Sequence, residues 1–509
     1  MIRERSSGIL LHITSLPGRY GIGTLGPEAE AFADLLERAG MRYWQILPMG
    51  PVEAPLGYSP YASTSAFAGN PLFISLEKLA AEKWFPGPLA PSPFPEDHFV
   101  SFDDVVRHRR PIIEGACEAF FSRADKSSRK EYEDFSVRER YWLDDYALYA
   151  AAAEEAETGD WLAWEPGLSK RKPAALRELA RRRGDRVRFH AFTQFIFFRQ
   201  WRDLAAHCTK RGIRLIGDIP IYITLASADA WAHPEILQLD KKSRRPLAVA
   251  GVPPDYFSET GQRWGNPLYR WKRGPFLSGA VLRWWARRIL HLHRIVDTVR
   301  IDHFRGFEAY WSIPAGEKTA VRGTWANGPG IRFFKRLRAL TGELNLIAED
   351  LGVITPEVEE LRDRLDLPGM KILQFAFDGD SGNYYLPHNI GTGNCVLYTG
   401  THDNNTVNGW FYEGEVDEGR RKYILEYLGL EEWRDFHWAI IRQAYRSIAD
   451  LVIIPAQDIP GYGEEFRMNL PGTLEGNWRW KLTAGAITDE MTAKLRRMGE
   501  IYGRLPKRG

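Results

Sequence analysis

The chain has 509 residues, a net charge of +2 and nearly equal numbers of acidic and basic side chains. This length accommodates a barrel with large insertions, and the balanced charge provides no electrostatic basis for binding nucleic acid or an anionic membrane. The three cysteines lack the paired spacing of a disulfide framework or a zinc site. A polar N-terminus and the lack of any long apolar stretch predict a cytoplasmic protein that does not span a membrane.

Short apolar runs alternate with helical patterns along the chain. Strands that alternate with helices favour parallel βα units, and eight such strands favour an α/β fold closed into a (β/α)8 barrel. Apolar residues at helical spacing predict helices at residues 27–39, 281–293 and 355–365. The predicted strands are residues 8–15, 43–49, 214–221, 298–303, 346–351, 371–376, 396–401 and 451–457.

Two long segments interrupt this alternation. Residues 80–188 are rich in Arg, Lys, Glu and Ala and predict a helical insertion, whereas residues 224–274 are rich in Pro, Gly and aromatic residues and predict loops. Insertions on the C-terminal face of a barrel commonly shape the active site. We therefore expect five parts: strands 1 and 2 in 1–79, the helical insertion in 80–188, barrel helix 2 and strand 3 in 189–223, a loop-rich insertion over the active site in 224–274, and strands 4–8 with C-terminal helices in 275–509.

The clearest local signal is the motif TVRIDHFRGF, a β-branched strand that ends in charged residues. Residues two apart face the same side of a strand, so Arg300 and Asp302 point together. A guanidinium beside Asp302 would hold this carboxylate ionised, as a glycosidic nucleophile requires. A buried structural ion pair explains the same two residues equally well.

Three further predicted strands end at acids. In LIAEDLG the strand runs into Glu349 and Asp350, where burial would raise the pKa of a general acid; helix capping is the alternative, and it is favoured for Asp350. In VLYTGTHDNN the strand runs into His402 and Asp403, without a metal-binding spacing such as HExxH. Asp218 follows the strand of RLIGDIP, where a solvated or turn-forming acid is an equal alternative.

Together these acids follow four strands of one predicted barrel. Polar residues at the C-terminal ends of barrel strands are commonly catalytic. Asp302 and Glu349 lie 47 residues apart in the sequence, about one βα unit, so we expect them on adjacent strands. Retaining glycosidases hold their two carboxyl groups about 5–5.5 Å apart, and inverting ones leave a wider gap for water. The 18 tryptophans suit stacking on glucose rings, although they also suit a core.

The motifs around these acids resemble those of the 4-α-glucanotransferases of glycoside hydrolase family 77, the amylomaltases or disproportionating enzymes of the α-amylase clan. The resemblance implies a (β/α)8 enzyme that transfers a segment of an α-1,4-glucan donor to the 4-hydroxyl of a glucose or maltodextrin acceptor, without cofactor or metal. It covers nearly the whole chain, through SLPGRYGIG, SPYASTSAFAGNP, GDIPIYI, GVPPDYFSETGQRWGNPLY, RIDHFRGF, AEDLG, PGMKILQFAF, TGTHDNNT and RMNLPGTLEGNWRW.

The resemblance implies a role for each matched residue. Asp302 is expected to be the nucleophile, Glu349 the acid/base, and Asp403 the residue that binds sugar hydroxyls in the transition state. The other expected substrate-binding residues are Arg300, His303 and His402 around the reacting sugar, Asp218 at the third strand, Ser59 and Tyr61 in the donor cleft, Asp255, Tyr256 and Phe257 in a loop over the glucan, and Gln262 and Trp264 behind that loop.

Two other functions remain open on the sequence. An α-amylase-like α-1,4-glucan hydrolase would use the same carboxylates, because transfer and hydrolysis differ only in whether a sugar or water attacks the glucosyl-enzyme. A non-catalytic glucan-binding protein would require loss of an acid, and all three are present. The segment 251–269 is a candidate for excluding water, the alternative being an ordinary apolar loop on the rim. The prediction of transfer rests on the resemblance alone.

Overall fold

The strands of the protein form one large parallel sheet and two smaller antiparallel ones in a computed structural model that describes residues 4–254 and 258–506. In chain order the strands are β1 (Ser6–Leu10), β2 (Tyr43–Gln45), β3 (Arg214–Ile219), β4 (Ala248–Val252), β5 (Gln262–Pro267), β6 (Lys272–Arg273), β7 (Phe276–Leu277), β8 (Thr298–Ile301), β9 (Ala309–Pro314), β10 (Thr324–Asn327), β11 (Leu346–Ala348), β12 (Gly369–Ile372), β13 (Cys395–Tyr398) and β14 (Leu451–Pro455).

The parallel sheet is a nearly closed barrel of eight strands in the order β11-β8-β3-β2-β1-β14-β13-β12. The Ala348 amide donates to the Pro368 carbonyl at 2.9 Å, which brings the two ends of the sheet together. Each barrel strand overlaps a predicted one, so the predicted (β/α)8 fold is confirmed. The overlap is smallest at β12, which shares only residues 371 and 372 with the predicted strand 371–376, because the chain turns into a short 3-10 helix at Leu373–Phe375. The observed strands are shorter: β1 ends at Leu10 and β8 at Ile301, and the polar residues that follow them lie in the connecting loops.

Helices surround the barrel and bury its strands on their outer face, which is why strands such as β14 are apolar throughout. The helices predicted at 27–39, 281–293 and 355–365 are observed at Pro27–Arg38, Gly279–His293 and Pro356–Arg364. No helix among the described residues is both long and apolar enough to cross a membrane. In order, the helices are α1 (Pro27–Arg38), α2 (Leu76–Ala80), α3 (Phe102–Arg123), α4 (Lys126–Ala156), α5 (Pro166–Ser169), α6 (Pro173–Arg182), α7 (Gly184–Lys210), α8 (Ala228–Ala232), α9 (Gly279–His293), α10 (Gly330–Thr341), α11 (Pro356–Arg364), α12 (Val407–Tyr412), α13 (Glu418–Leu428), α14 (Phe436–Arg446) and α15 (Asp489–Ile501).

The segment 80–188 contains helices α3 to α6 and the beginning of α7. Aromatic rings join these helices, since Phe120 of α3 packs against Phe192 and Phe195 of α7 with ring centroids 5.3 and 5.8 Å apart. Helix α7 continues through position 188 because its buried apolar residues recur at helical spacing to Cys208. The predicted boundary between residues 188 and 189 therefore falls inside a helix, and the division of the chain into five parts stays a prediction.

The segment 224–274, predicted as loops, contains strands. Its strands β4 and β5 join β9 and β10 in a four-stranded antiparallel sheet with the order β10-β9-β4-β5. The partner strands lie at residues 309–327, after the fourth barrel strand, so no local pattern indicates this pairing. Val249, Ile313 and Ala320 form a small apolar cluster in this part of the structure.

Candidate active site

The centre of the barrel mouth holds a chain of charged groups. Strands β3 and β8 pair with Asp218 beside Arg300, so both side chains lie at the same height. Arg300 Nη1 donates to Asp218 Oδ2 at 2.6 Å and to Asp302 Oδ1 at 3.1 Å. Tyr61 donates its hydroxyl to Asp218 Oδ2 at 2.7 Å. The Asp218 side chain is fully buried and that of Asp302 is 27% exposed, so the chain of contacts leads from the core to an accessible carboxylate.

The pKa values of these acids reflect opposing effects of burial and of the single guanidinium. Burial raises the pKa of Asp218 to about 7, although the charge of Arg300 acts in the opposite direction. Burial also raises the pKa of Asp302 above its ordinary value, again against Arg300. Arg300 does stabilise the ionised form of Asp302, as predicted, but burial has the larger effect and the pKa of Asp302 rises.

Glu349 follows β11, the strand beside β8, so the predicted adjacency of the strands that carry Asp302 and Glu349 is confirmed. The Glu349 carboxyl accepts the amide of His303 at 2.6 Å and that of Leu351 at 2.9 Å. His303 has a left-handed backbone (φ 50°, ψ 50°), which is uncommon for a residue with a Cβ. Burial raises the pKa of Glu349 to about 8, so this carboxyl keeps its proton at neutral pH.

A tryptophan from the antiparallel sheet covers the turn after β8. Trp264 of β5 meets the His303 ring edge-on, with centroids 4.8 Å apart, and its indole nitrogen donates to Gln262 Oε1 at 3.0 Å. Burial lowers the pKa of His303 to about 3, so its imidazole is neutral. Gln262 and Trp264 are thus brought beside the strand end that carries Asp302. The predicted loop residues Asp255, Tyr256 and Phe257 lie outside the described residues.

Aromatic and polar side chains form the opposite wall of the mouth. Tyr61 stacks on His402 with ring centroids 5.1 Å apart, and Trp478 lies 5.9 Å from Tyr61 and 6.0 Å from His402. Ser59 stands beside this cluster, since its hydroxyl accepts the Tyr61 amide at 3.3 Å. Burial lowers the pKa of His402, which leaves this ring neutral. Its Nε2 lies 3.5 Å from Asp403 Oδ1.

Two side chains that were not predicted as site residues hold Asp403. Asn469 donates its amide to Asp403 Oδ1 at 2.6 Å, and Arg467 Nη2 donates to the Asp403 carbonyl at 2.7 Å. Both residues, like Trp478, belong to the motif RMNLPGTLEGNWRW, which marked the segment without assigning any of its side chains. The amide, guanidinium and indole side chains gathered in that motif were the signal that could have identified these residues as part of the site.

Asp350, the acid next to Glu349, belongs to the barrel wall. The helix-capping role expected for it is wrong: α11 begins after Thr355, and Asp350 accepts instead from the Met370 amide at 2.7 Å and from Arg362 Nη1 at 2.5 Å. Its side chain therefore lies against β12 and α11, whereas that of Glu349 meets the turn after β8. Across residues 4–254 and 258–506, no group of three or more His, Cys, Asp or Glu side chains is arranged to hold a metal ion.

An α/β barrel with carboxyl groups at the C-terminal ends of its strands, and aromatic rings around them, has the architecture of a barrel enzyme and is suited to acting on glycosidic bonds. The family model described as 4-alpha-glucanotransferase matches residues 11–488, so the chain belongs to that family. Its activity is therefore the transfer of α-1,4-glucan segments, and the hydrolase alternative is not favoured.

Individual relatives match the chain over nearly its full length. It is 45% identical over 508 residues to a 4-alpha-glucanotransferase of Synechocystis, covering 99% of each chain. It is 46% identical over 507 residues to the 4-alpha-glucanotransferase of Thermus thermophilus, covering 98% of this chain and 99% of the relative. The solved amylomaltase of Streptococcus agalactiae in complex with acarbose superposes with a TM-score of 0.92 at 35% identity, covering 99% of this chain and 100% of that one.

Proposed function

We propose that glucan transfer proceeds by a retaining double displacement in which Asp302 is the nucleophile and Glu349 the acid/base. The observation that carries this proposal is the pairing of an accessible aspartate bonded to a guanidinium with a buried glutamic acid of pKa about 8 on the adjacent strand. Asp302 is more exposed than Asp218, so its ionisation involves less desolvation than that of the deeper acid. One ionised carboxylate and one protonated carboxyl are what the two roles require.

In the first step, Asp302 attacks C1 of an α-1,4-linked glucose while Glu349 gives its proton to the departing 4-oxygen. The C1–O4 bond breaks, the ester between Asp302 and C1 forms, and the reducing-end fragment leaves as an alcohol. In the second step, Glu349 takes the proton from the 4-hydroxyl of an acceptor, whose oxygen attacks C1 and releases Asp302. Two inversions restore the α-configuration and regenerate both groups.

The remaining predicted residues surround the reacting sugar in this proposal. Asp403, held at one oxygen by Asn469, binds the 2- and 3-hydroxyls more tightly as the ring flattens, which is a contact specific to the transition state. His402 and Tyr61 form the wall against which the sugar packs, and Ser59 supports Tyr61 in the donor cleft. Arg300 keeps Asp218 and Asp302 in register beneath the sugar.

Transfer requires that an acceptor sugar reach the ester before water does. Trp264 and Gln262 provide an aromatic and a polar surface beside the turn that follows Asp302, and both suit a glucose or maltodextrin acceptor. We assign the same task to Asp255, Tyr256 and Phe257 from the sequence. The donor is an α-1,4-glucan, and the predicted cytoplasmic location agrees with a maltodextrin substrate.

Incubation with maltotriose tests this proposal. The wild-type enzyme should release glucose and form longer maltodextrins at a constant number of reducing ends, whereas Asp302→Asn should lose at least about a thousandfold in rate because no ester forms. Asp134→Asn, at an exposed position of α4, is the matched control and should behave as wild type. A rise in reducing ends would identify a hydrolase, and full turnover by Asp302→Asn would exclude Asp302 as the nucleophile.

A further inference from the structure

An exposed tryptophan stands at the rim of the barrel mouth. Trp325 lies on β10 and is 42% exposed. The guanidinium carbon of Arg305 lies over the Trp325 ring, 3.8 Å from its centroid, and covers one face. Trp311 approaches edge-on, with centroids 5.2 Å apart. Beside these two contacts Trp325 keeps 42% of its surface exposed, so part of its indole is accessible to a ligand.

The orientation of the Trp325 ring is determined by its supports. Trp311 is its cross-strand partner on β9, and the Trp311 indole nitrogen donates to the Ala320 carbonyl at 2.9 Å. Arg305 is buried in the turn Phe304–Phe307, and its Nη1 donates to the Val353 carbonyl. A flat ring held in place before binding loses little conformational entropy when a ligand stacks on it.

The position of Arg305 relates Trp325 to the reacting groups. Arg305 follows Asp302 by three residues, and its partner Val353 follows Glu349 by four. The guanidinium under Trp325 therefore joins the two loops that carry the nucleophile and the acid/base. Trp325 stands on this β8 and β11 side of the mouth, whereas Tyr61 and His402 follow β2 and β13.

The proposed chemistry identifies which sugars reach that side. The acid/base must touch the oxygen between the reacting sugar and the next unit, so units beyond the cleavage point extend past Glu349. We propose that Trp325 is a stacking platform for a glucosyl unit of a maltodextrin acceptor, beyond the unit that attacks C1; this rests on the roles proposed for Asp302 and Glu349. The apolar C–H face of a glucose ring matches the exposed indole surface of Trp325, and stacking places few demands on hydroxyl positions.

The test uses a maltosyl fluoride donor with glucose, maltose, maltotriose or maltotetraose as acceptor. Fluoride leaves with little protonation and occupies no acceptor position, so ester formation is independent of Trp325. In Trp325→Ala the KM for maltotriose as acceptor should rise about tenfold, the upper range for one aromatic contact, while the KM for glucose stays within about twofold. Trp325→Phe keeps an aromatic ring, so its KM for maltotriose as acceptor should rise less than about threefold.

Two further variants keep the result interpretable. Trp325→Leu retains apolar contact with Arg305 and Trp311 without a flat face, so it should reproduce the acceptor effect even if the alanine variant does not fold. Trp433→Ala removes another tryptophan, which is 55% exposed and lies outside the site, and should change no acceptor KM. An unchanged maltotriose KM in the leucine variant, or an equal rise for glucose, would overturn the platform. Fluoride release by Asp302→Asn at the wild-type rate would instead overturn the proposed nucleophile.

Discussion

Glu349 combines burial with a strictly determined orientation. The amides of His303 and Leu351 each donate to one of its carboxyl oxygens, and the left-handed backbone of His303 lies beside the first of these bonds. Such amide bonds favour the ionised form, but removal of water favours the protonated form and has the larger effect. A carboxyl that is both oriented and protonated at neutral pH is suited to giving its proton to a leaving oxygen.

Replacing Glu349 separates proton donation from nucleophilic attack. Glu349→Gln should slow maltotriose turnover about 100- to 10,000-fold, because the sugar leaving group needs the proton. The first-turnover burst of fluoride from maltosyl fluoride should stay close to wild type, because it precedes the step in which Glu349 acts as base. With maltotriose, the wild-type kcat/KM should fall as pH rises through about 8, since the deprotonated acid no longer donates. Steady-state rates across pH measure the pH effect on the wild type, and first-turnover kinetics measure the fluoride burst of the variant. Equal losses in maltotriose turnover and in the first-turnover fluoride burst would argue against Glu349 as the acid.

At the scale of elements, one buried aspartate fastens the loop that carries His402 and Asp403. Asp458, which follows β14, accepts the Thr399 hydroxyl at 2.6 Å and the Val407 amide at 2.8 Å. Thr399 and Val407 each lie four residues from Asp403, so both ends of this loop are held by the same carboxyl group. The loop between Thr399 and Val407 is therefore held from outside, by a side chain that follows the neighbouring strand β14.

Loss of this contact should lower the rate more than the affinity. Asp458→Ala frees both ends of the loop, and a displacement of about 1 Å can cost roughly a hundredfold in kcat; KM for maltotriose should change far less. Asp458→Asn should recover most of the rate, because its amide oxygen still accepts from Val407. Turnover kinetics of the two variants, with thermal unfolding to verify folding, provide the measurement. Wild-type kcat in Asp458→Ala would show that the loop needs no such support.

At the scale of the whole molecule, a network of charges joins the helices of the segment 80–188. Glu154 of α4 bonds Arg110 of α3 at 2.7 Å and, from α7, Arg186 at 2.7 Å and His190 at 3.1 Å. Burial opposes ionisation of Glu154, but the nearby His190 ring and the hydrogen-bonded Arg186 outweigh it and lower the pKa well below the ordinary value. The ionised form is therefore stabilised in the folded state, which contributes to stability near neutral pH.

Neutralising Glu154 should destabilise the fold without touching the chemistry. Glu154→Gln should lower Tm at pH 7 by about 2 °C or more, and the difference should shrink as pH falls below the ordinary glutamate value of 4.5, where the unfolded wild type binds its proton. Glu131→Gln, also on α4, breaks an exposed pair with Arg202 and should change Tm little. Calorimetry across pH measures this, and equal shifts in both variants would contradict a special role for Glu154.

The sequence by itself determined the barrel and the acids at its mouth. Apolar strands that end in Asp218, Asp302 and Glu349 are local patterns. The alternation of strands with helices and the polar residue at the end of a strand can both be recognised from residues that are neighbours in the sequence. Adjacency of the strands carrying Asp302 and Glu349 followed from one βα unit of spacing, and β8 and β11 pair as that spacing predicts.

Only the tertiary structure decided which groups surround those acids and in which direction their pKa values move. Asn469 and Trp478 reach the mouth from a distant segment, β4 and β5 find strand partners at residues 309–327, and Asp350 points into the wall. Burial, more than the neighbouring Arg300, sets the pKa direction of Asp302. Each outcome depends on contacts and on exclusion of water between residues far apart in the chain, which no local pattern records.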